Sequence, residues 1–325
     1  MAKAASAHGK AFEYAVIIAL QDAVSAFSHV DLQENRILAV ARDKYSLLSD
    51  KEQVQYSAAA GVGVKMLIGR EPKIETGSFA NSRLQLYLQT DQMGQGGDVR
   101  DIVIRREDED WEIGISAKHN HKAVKSSRLG RQLDFGKSWL QEPCSAHYLS
   151  KVAEVFDGVS SRVGRETWKS LGDEKYGIYE AILKEFKEEL WSIFKRLGKI
   201  VPERLIRYLV GNCDFHKIMK IRDKTQLQPF NLNGSLGQRS KVRRATPESE
   251  ILPLPTKIYD IHFKEDSRTT LHLACDAGWQ ISFRIHNAST LVEPSLKFDI
   301  TLIGHPPQLV TQELPWSCKK PNGGD

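Results

Sequence analysis

GDVRDIVIRREDEDWEIGISAKHNH, residues 97–121, decides how this chain is read. Ile102, Val103 and Ile104 form a compact β-branched run, the composition of a strand. The acidic stretch Glu107–Asp110 reverses the chain into a further strand beginning at Trp111. Asp101 opens the first strand of this hairpin and Lys118 closes the second. Alternation places Glu112, Gly114, Ser116 and Lys118 on one face of the second strand. A carboxylate and an ammonium therefore converge at one end of the hairpin. Such a pair can hold Mg2+ through hard oxygen ligands while the lysine touches a water or a phosphate.

Working outward, Leu84, Leu86 and Leu88 alternate with polar neighbours and predict a strand before the hairpin. Upstream, residues 10–27 read as a helix apolar on most of its circumference, hence buried. Two more helices are expected near 35–48 and 52–68, the second opened by a Ser49–Glu52 capping box. Downstream, residues 124–141 show helical spacing through Val124, Leu133 and Leu140. Helix, sequential strands and helix again predict an α/β or α+β layer arrangement. Residues 146–211 read as helical, with an apolar stripe of Tyr179, Ile182, Phe186, Leu190, Ile193 and Leu197 that is core. Residues 225–256, rich in Gln, Asn, Gly, Ser and Pro, read as loop or linker. Strands are expected again in TKIYDIHF, TTLHLAC, WQISFRIHN and LKFDITLIG, followed by a disordered tail.

The chain has 325 residues, enough for about two domains. Its composition, 41% hydrophobic and 27% charged, excludes disordered and collagen-like classes. A net charge of +5 permits an acidic partner without demanding one. Cys144, Cys213, Cys275 and Cys318 lie far apart with no CxxC, signalling neither a zinc cage nor a disulfide framework. The apolar run Ala15–Leu20 is too short to span a bilayer and lacks the features of a signal peptide, so a cytoplasmic protein without a membrane partner is expected.

A strand-borne Asp, a hairpin and a closing x-Lys make up the frame of the PD-(D/E)xK nucleases. Three features support it. Glu13, placed in the first turn of the first helix on the face of Ile17, Leu20 and Val24, can serve as a second metal ligand. Lys118 to Arg131 carries five basic residues and no acid, and a helix N-terminus is expected there to meet phosphates. Lys217 to Arg244 carries eight basic residues against Asp223 and reads as a flexible basic loop able to clamp DNA.

GDVRDIVI with WEIGISAKHNHKAVKSSRLGRQLDFG, and then WQISFRIHNASTLVEPSLKFDITLIG, resembles the HaeIII-type type II restriction endonucleases. GKAFEYAVIIAL and PFNLNGSLG fit the same resemblance, which spans nearly the whole chain. It implies a restriction-endonuclease-like core, a mixed sheet flanked by helices. The expected divisions are a catalytic core over 1–145, a helical region over 146–224, a basic linker over 225–256, a β-rich region over 257–318 that reads DNA sequence, and a tail over 319–325. It also implies Mg2+-dependent cleavage of double-stranded DNA within GGCC, blunt between G and C, beside a companion methyltransferase that protects the host.

One departure matters. The carboxylate usual two residues before the lysine is Ser116 here, and a hydroxyl is a poorer Mg2+ ligand. In some related endonucleases with Ser-x-Lys the acid comes from the following helix. The equivalent reach gives Gln132, with Asp134 nearby, and Gln132 offers only a neutral oxygen. Asp101 and Glu13 are therefore the expected charged ligands, Ser116 and Gln132 support them, and Glu112 and Asp98 are rivals. Lys118 positions the attacking water or stabilises charge on the phosphate.

His119, Asn120, His121, Lys122, Lys125 and Arg128 are expected DNA contacts, with His119 and His121 also candidate general bases. Arg284, His286 and Asn287, with Lys297 behind them, are candidates for reading bases. A twofold homodimer is the simplest answer to a palindromic site, and a monomer that nicks each strand in turn is the alternative. The competing readings are a structure-specific repair or recombination nuclease, and a DNA-binding protein whose nuclease site has decayed.

Overall fold

The computed structural model describes residues 2–76, 83–90, 98–120 and 123–316. The chain divides into two units. The first comprises residues 1–122, 212–252 and 308–325, and the second residues 123–211 and 253–307.

In the first unit, three helices lead into the sheet: α1 (Ala2–Val24), α2 (Arg36–Ser46) and α3 (Asp50–Arg70), with a short turn of helix, α4, at Pro72–Glu75. The predicted capping box opens α3, with Ser49 accepting from the Glu52 backbone and Glu52 accepting from the Ser49 N–H. The strands are β1 (Val30–Leu32), β2 (Leu84–Leu88), β3 (Ile102–Arg106) and β4 (Trp111–His119). After the second unit's residues come β6 (Phe215–Ile221), β7 (Lys224–Phe230) and β12 (Gln312–Pro315). They form a mixed seven-stranded sheet in the order β1-β2-β3-β4-β6-β7-β12. The β1–β2 and β4–β6 pairs are parallel and the rest antiparallel. Phe12, Val16, Ile17 and Leu20 of α1 and Ala60, Val64 and Leu67 of α3 join Ile104, Ile113, Ile115 and Ile218 of the sheet in one core.

In the second unit, β5 (Lys125–Gly130), β8 (Ile258–Phe263), β9 (Thr270–Cys275), β10 (Gln280–His286) and β11 (Ser295–Gly304) form an antiparallel sheet, ordered β5-β11-β10-β9-β8. Helices α5 (Ala146–Asp157), α6 (Glu174–Leu197) and α7 (Ile200–Val210) complete it. Phe186 of α6 meets Phe283 and Phe298 of the sheet with ring centroids 5.5 and 5.3 Å apart, so the aromatic stripe is core as expected.

Four local expectations are corrected. Residues 125–130 are a strand, not the start of a helix, because β5 pairs along its length with β11 from Lys125↔Ile300 to Gly130↔Ser295. Only a turn of π-helix at Gly136–Leu140 remains of the predicted helix, and no helix N-terminus lies between Lys125 and Gly130. Glu13 lies well inside α1, so a stabilising charge in a first turn does not account for it. The helical stretch is interrupted between α5 and α6, where a short 3-10 turn and a bridge from Thr167 to Leu291 replace helix. Finally, the basic segment beginning at Lys217 is not a flexible loop. Lys217 and Lys220 are buried on β6, residues 224–230 pair as β7, and Arg243 donates to the Ile68 and Gly69 carbonyls at the end of α3. The predicted tail lies outside the described residues.

Candidate active site

Asp101 stands at the mouth of the β3–β4 hairpin. Its N–H donates to the Ile115 carbonyl at 2.8 Å, and its carbonyl accepts from the Gln89 N–H at 3.0 Å. The backbone is thus clamped to β4 on one side and to the end of β2 on the other. One carboxylate oxygen, Oδ2, accepts three hydrogen bonds: from the Ala117 N–H at 2.8 Å, the Ser116 hydroxyl at 3.1 Å and the Lys118 ammonium at 2.8 Å. The other oxygen, Oδ1, receives none from the described residues.

Ser116 therefore has a defined job. Its hydroxyl donates to Asp101 and fixes that carboxylate's rotation. Charge-assisted bonds of this kind are the stronger class.

Glu13 closes the group from α1. Its Oε2 accepts from Lys10 at 3.0 Å, one helical turn earlier. Burial, reinforced by the negative charge of Asp101, pushes the Glu13 carboxyl up to about 7, while Lys10 and Lys118 pull it down. Burial alone would push Lys118 down. The hydrogen-bonded Asp101 carboxylate and the Glu13 charge outweigh it, so the ammonium is held above its ordinary range. Two carboxylates and two ammonium groups are thus gathered at one end of the sheet.

The open oxygens, Asp101 Oδ1 and Glu13 Oε1, are hard donors free of partners among the described residues. That donor set fits a small hard cation, which accepts one or two carboxylates and completes its shell with water or phosphate oxygens. Among the described residues, no cluster of three or more His, Cys, Asp or Glu suited to a metal is present.

Asp98 and Glu112, the rival ligands, are committed elsewhere. Arg100 Nε and Nη2 reach the two Asp98 oxygens at 2.8 and 2.7 Å, and Nη1 reaches Glu112 at 2.6 Å. The arginine lies flat over Gly114, where a Cβ would come within 1.9 Å of Arg100 Cδ. Sequence reasoning missed Arg100. The glycine between Glu112 and Ser116 on a strand face was the available signal.

Beyond Lys118 the character changes. The His119 ring stacks on Tyr56 and on His8, centroids 4.9 and 5.4 Å away, in a three-ring cluster. Burial first, then the positive charge of Lys220, pushes its pKa down to about 4, so the imidazole is neutral at pH 7. Asn120 takes a left-handed φ of 50°, donates its N–H to the Lys220 carbonyl at 2.8 Å and accepts from the Arg222 N–H at 3.1 Å. It staples the end of β4 to the β6–β7 turn. His121 and Lys122 lie outside the described residues.

The remaining candidates belong to the second unit. Gln132 is exposed in the turn after β5, and Asp134 is engaged by the Lys137 and Cys144 N–H groups. Lys125 turns inward, donating to the Tyr208 carbonyl with its ammonium 3.7 Å from the Tyr208 ring centre, and burial lowers its pKa to about 8. Asn287 accepts from Tyr179 and donates to Ser289, so both ends of its amide are occupied. Arg128, Lys297 and His286 stand in register on three neighbouring strands. Arg284 is next along β10, exposed and unpaired among the described residues.

Comparison with known proteins places the chain in a family. The HaeIII restriction endonuclease family matches residues 9–306. The type II restriction enzyme HaeIII of Haemophilus aegyptius is 41% identical over 319 residues, covering 97% of this chain and 99% of that protein. No solved structure matches. No helix among the described residues is long and apolar enough to cross a membrane. The chain belongs to the HaeIII restriction endonuclease family and is a type II site-specific deoxyribonuclease.

Proposed function

We propose that this enzyme hydrolyses one phosphodiester bond in each strand of double-stranded DNA at GGCC, leaving blunt ends, with Mg2+ as its cofactor. The observation that carries the reading is Asp101: one oxygen tied down by three donors, the other left open beside an open oxygen of Glu13. Bound there, Mg2+ would lower the pKa of a water and neutralise charge on the phosphate. Asp101 and Glu13 would hold it.

The chain's own groups do the rest. Ser116 and the Ala117 N–H keep Asp101 in one rotamer, so the site requires little rearrangement when the phosphate arrives. Lys118, cationic and fixed on Asp101, stabilises negative charge as it develops on the phosphate and directs the attacking water in line with the leaving oxygen. His119, neutral within its aromatic stack, supports the wall of the site; its low basicity argues against a role as general base.

Base reading is assigned to the second unit. Arg284 offers a free guanidinium, whose fork matches O6 and N7 of guanine. Arg128, His286 and Lys297 supply a polar row for the backbone and neighbouring bases. Asn287 shapes the loop behind them, and Gln132 is exposed for a contact with DNA. A twofold dimer would treat both strands of the palindrome equivalently. A methyltransferase acting on the same sequence would protect host DNA, and such a system operates in the cytoplasm.

The test is digestion of unmethylated plasmid with Mg2+. Discrete fragments ending between G and C of every GGCC, absent when the sites are methylated, support the proposal. Cutting at branched structures irrespective of sequence would replace it with the repair-nuclease reading.

A further inference from the structure

Lys10 is not part of the nuclease frame, yet it is built into the site. It lies one turn before Glu13 on α1, with its ammonium 3.0 Å from Glu13 Oε2 and the side chain 19% exposed. Lys118 pairs with Asp101 in the same way, at 2.8 Å. Each lysine takes one oxygen of one carboxylate and leaves the other oxygen open. Two acidic and two basic side chains are thus paired one to one.

This balance has a consequence for cation binding. Without the lysines, the buried Glu13 carboxyl would feel the Asp101 charge uncompensated, which disfavours the ionised pair. With them, each carboxyl group has a cation beside it. A divalent cation then adds positive charge beside both ammonium groups, which resist it until anionic phosphate arrives. Lys118 sits at the end of a paired strand beside its partner. Lys10 projects from α1 on a flexible four-carbon stem and holds its carboxylate at 3.0 Å, the longer of the two contacts.

We propose that Lys10 is the resident counter-cation of Glu13: it occupies that carboxylate in the metal-free enzyme, yields it to the divalent cation, and then contacts a phosphate of the DNA backbone. This rests on the reading of Glu13 and Asp101 as metal ligands. It makes Lys10 a coupling residue between metal and DNA, opposing the first in the absence of the second.

The experiment uses the full-length enzyme with Lys10→Met and Lys10→Arg. Mn2+, which takes the same hard oxygen ligands, is titrated without DNA, and the free ion is counted by electron paramagnetic resonance. Lys10→Met is expected to bind Mn2+ at least about threefold more tightly than wild type, and Lys10→Arg to match wild type. The gain should vanish in a Glu13→Gln background, where the paired charge is gone. Binding to a duplex that the enzyme does not cut, measured with Mn2+ across a range of salt, should lose about 0.9 from the log–log salt slope in Lys10→Met and nothing in Lys10→Arg.

Equal or weaker Mn2+ binding by Lys10→Met overturns the proposal, as does an unchanged salt slope. A different result marks failure of the underlying reading: wild type that takes up no Mn2+, with Asp101→Asn still cutting DNA.

Discussion

Replacing Ser116 by Ala separates two accounts of the serine. In the structure its hydroxyl is one of three donors on Asp101 Oδ2, at 3.1 Å, the longest of the three. A hydrogen bond to a charged group contributes about 1.5–3 kcal/mol, and the two shorter donors survive the change. The expected loss is therefore at the low end, about 1–2 kcal/mol in the barrier, or roughly 5–30-fold in kcat. The Mg2+ concentration for half-maximal rate should stay within about twofold, because Asp101 Oδ1 and Glu13 are untouched. Single-turnover cleavage of a GGCC duplex across a Mg2+ series measures both quantities. A loss of a thousandfold or more, with a large rise in the Mg2+ requirement, would refute the reasoning and make the hydroxyl a direct metal ligand.

Three other outcomes are expected. Gly114→Ala drives a methyl group into Arg100 and breaks the Asp98–Arg100–Glu112 group, which should cost about 2–4 kcal/mol of stability in urea unfolding. Glu13 has a folded-state pKa of about 7, above its unfolded value, so the metal-free protein carries a stabilising contribution below pH 4.5 that is lost as pH rises through 7. Glu13→Gln should flatten that dependence, visible as a smaller fall in the urea midpoint over this range. Arg284→Ala should narrow the preference for GGCC over single-base variants by about 1–3 kcal/mol, read from ratios of kcat/KM.

The parts legible in the sequence were those whose signal is local. The β3–β4 hairpin announces itself through the β-branched run, the acidic turn and the period-2 alternation, and it brings Asp101 and Lys118 within 2.8 Å of each other. The capping box at Ser49 is likewise complete within a few residues. Glu13 was legible as an acid on an apolar helix face, although not its position within the helix, because α1 begins well before the apolar run.

What escaped depends on distant partners. KSSRLG becomes a strand because β11 lies beside it, a neighbour contributed by residues 295–300. The basic run from Lys217 looked solvated by composition, yet β4 pairs with it in parallel and buries Lys217 and Lys220. Asp98 and Glu112 looked like free ligands until Arg100 was seen to hold both. In the same way the structure explains Ser116, whose hydroxyl orients the carboxylate that remains.

The central claim is that Asp101 anchors a metal-dependent nuclease site, and Asp101→Asn tests it most directly. The variant keeps the size of the side chain and removes its charge. Cleavage of plasmid DNA with Mg2+ should fall by at least about a thousandfold, 4 kcal/mol or more, while binding to a GGCC duplex persists. Cleavage within tenfold of wild type, abolished by EDTA in both proteins, would contradict the account and move the metal to other residues.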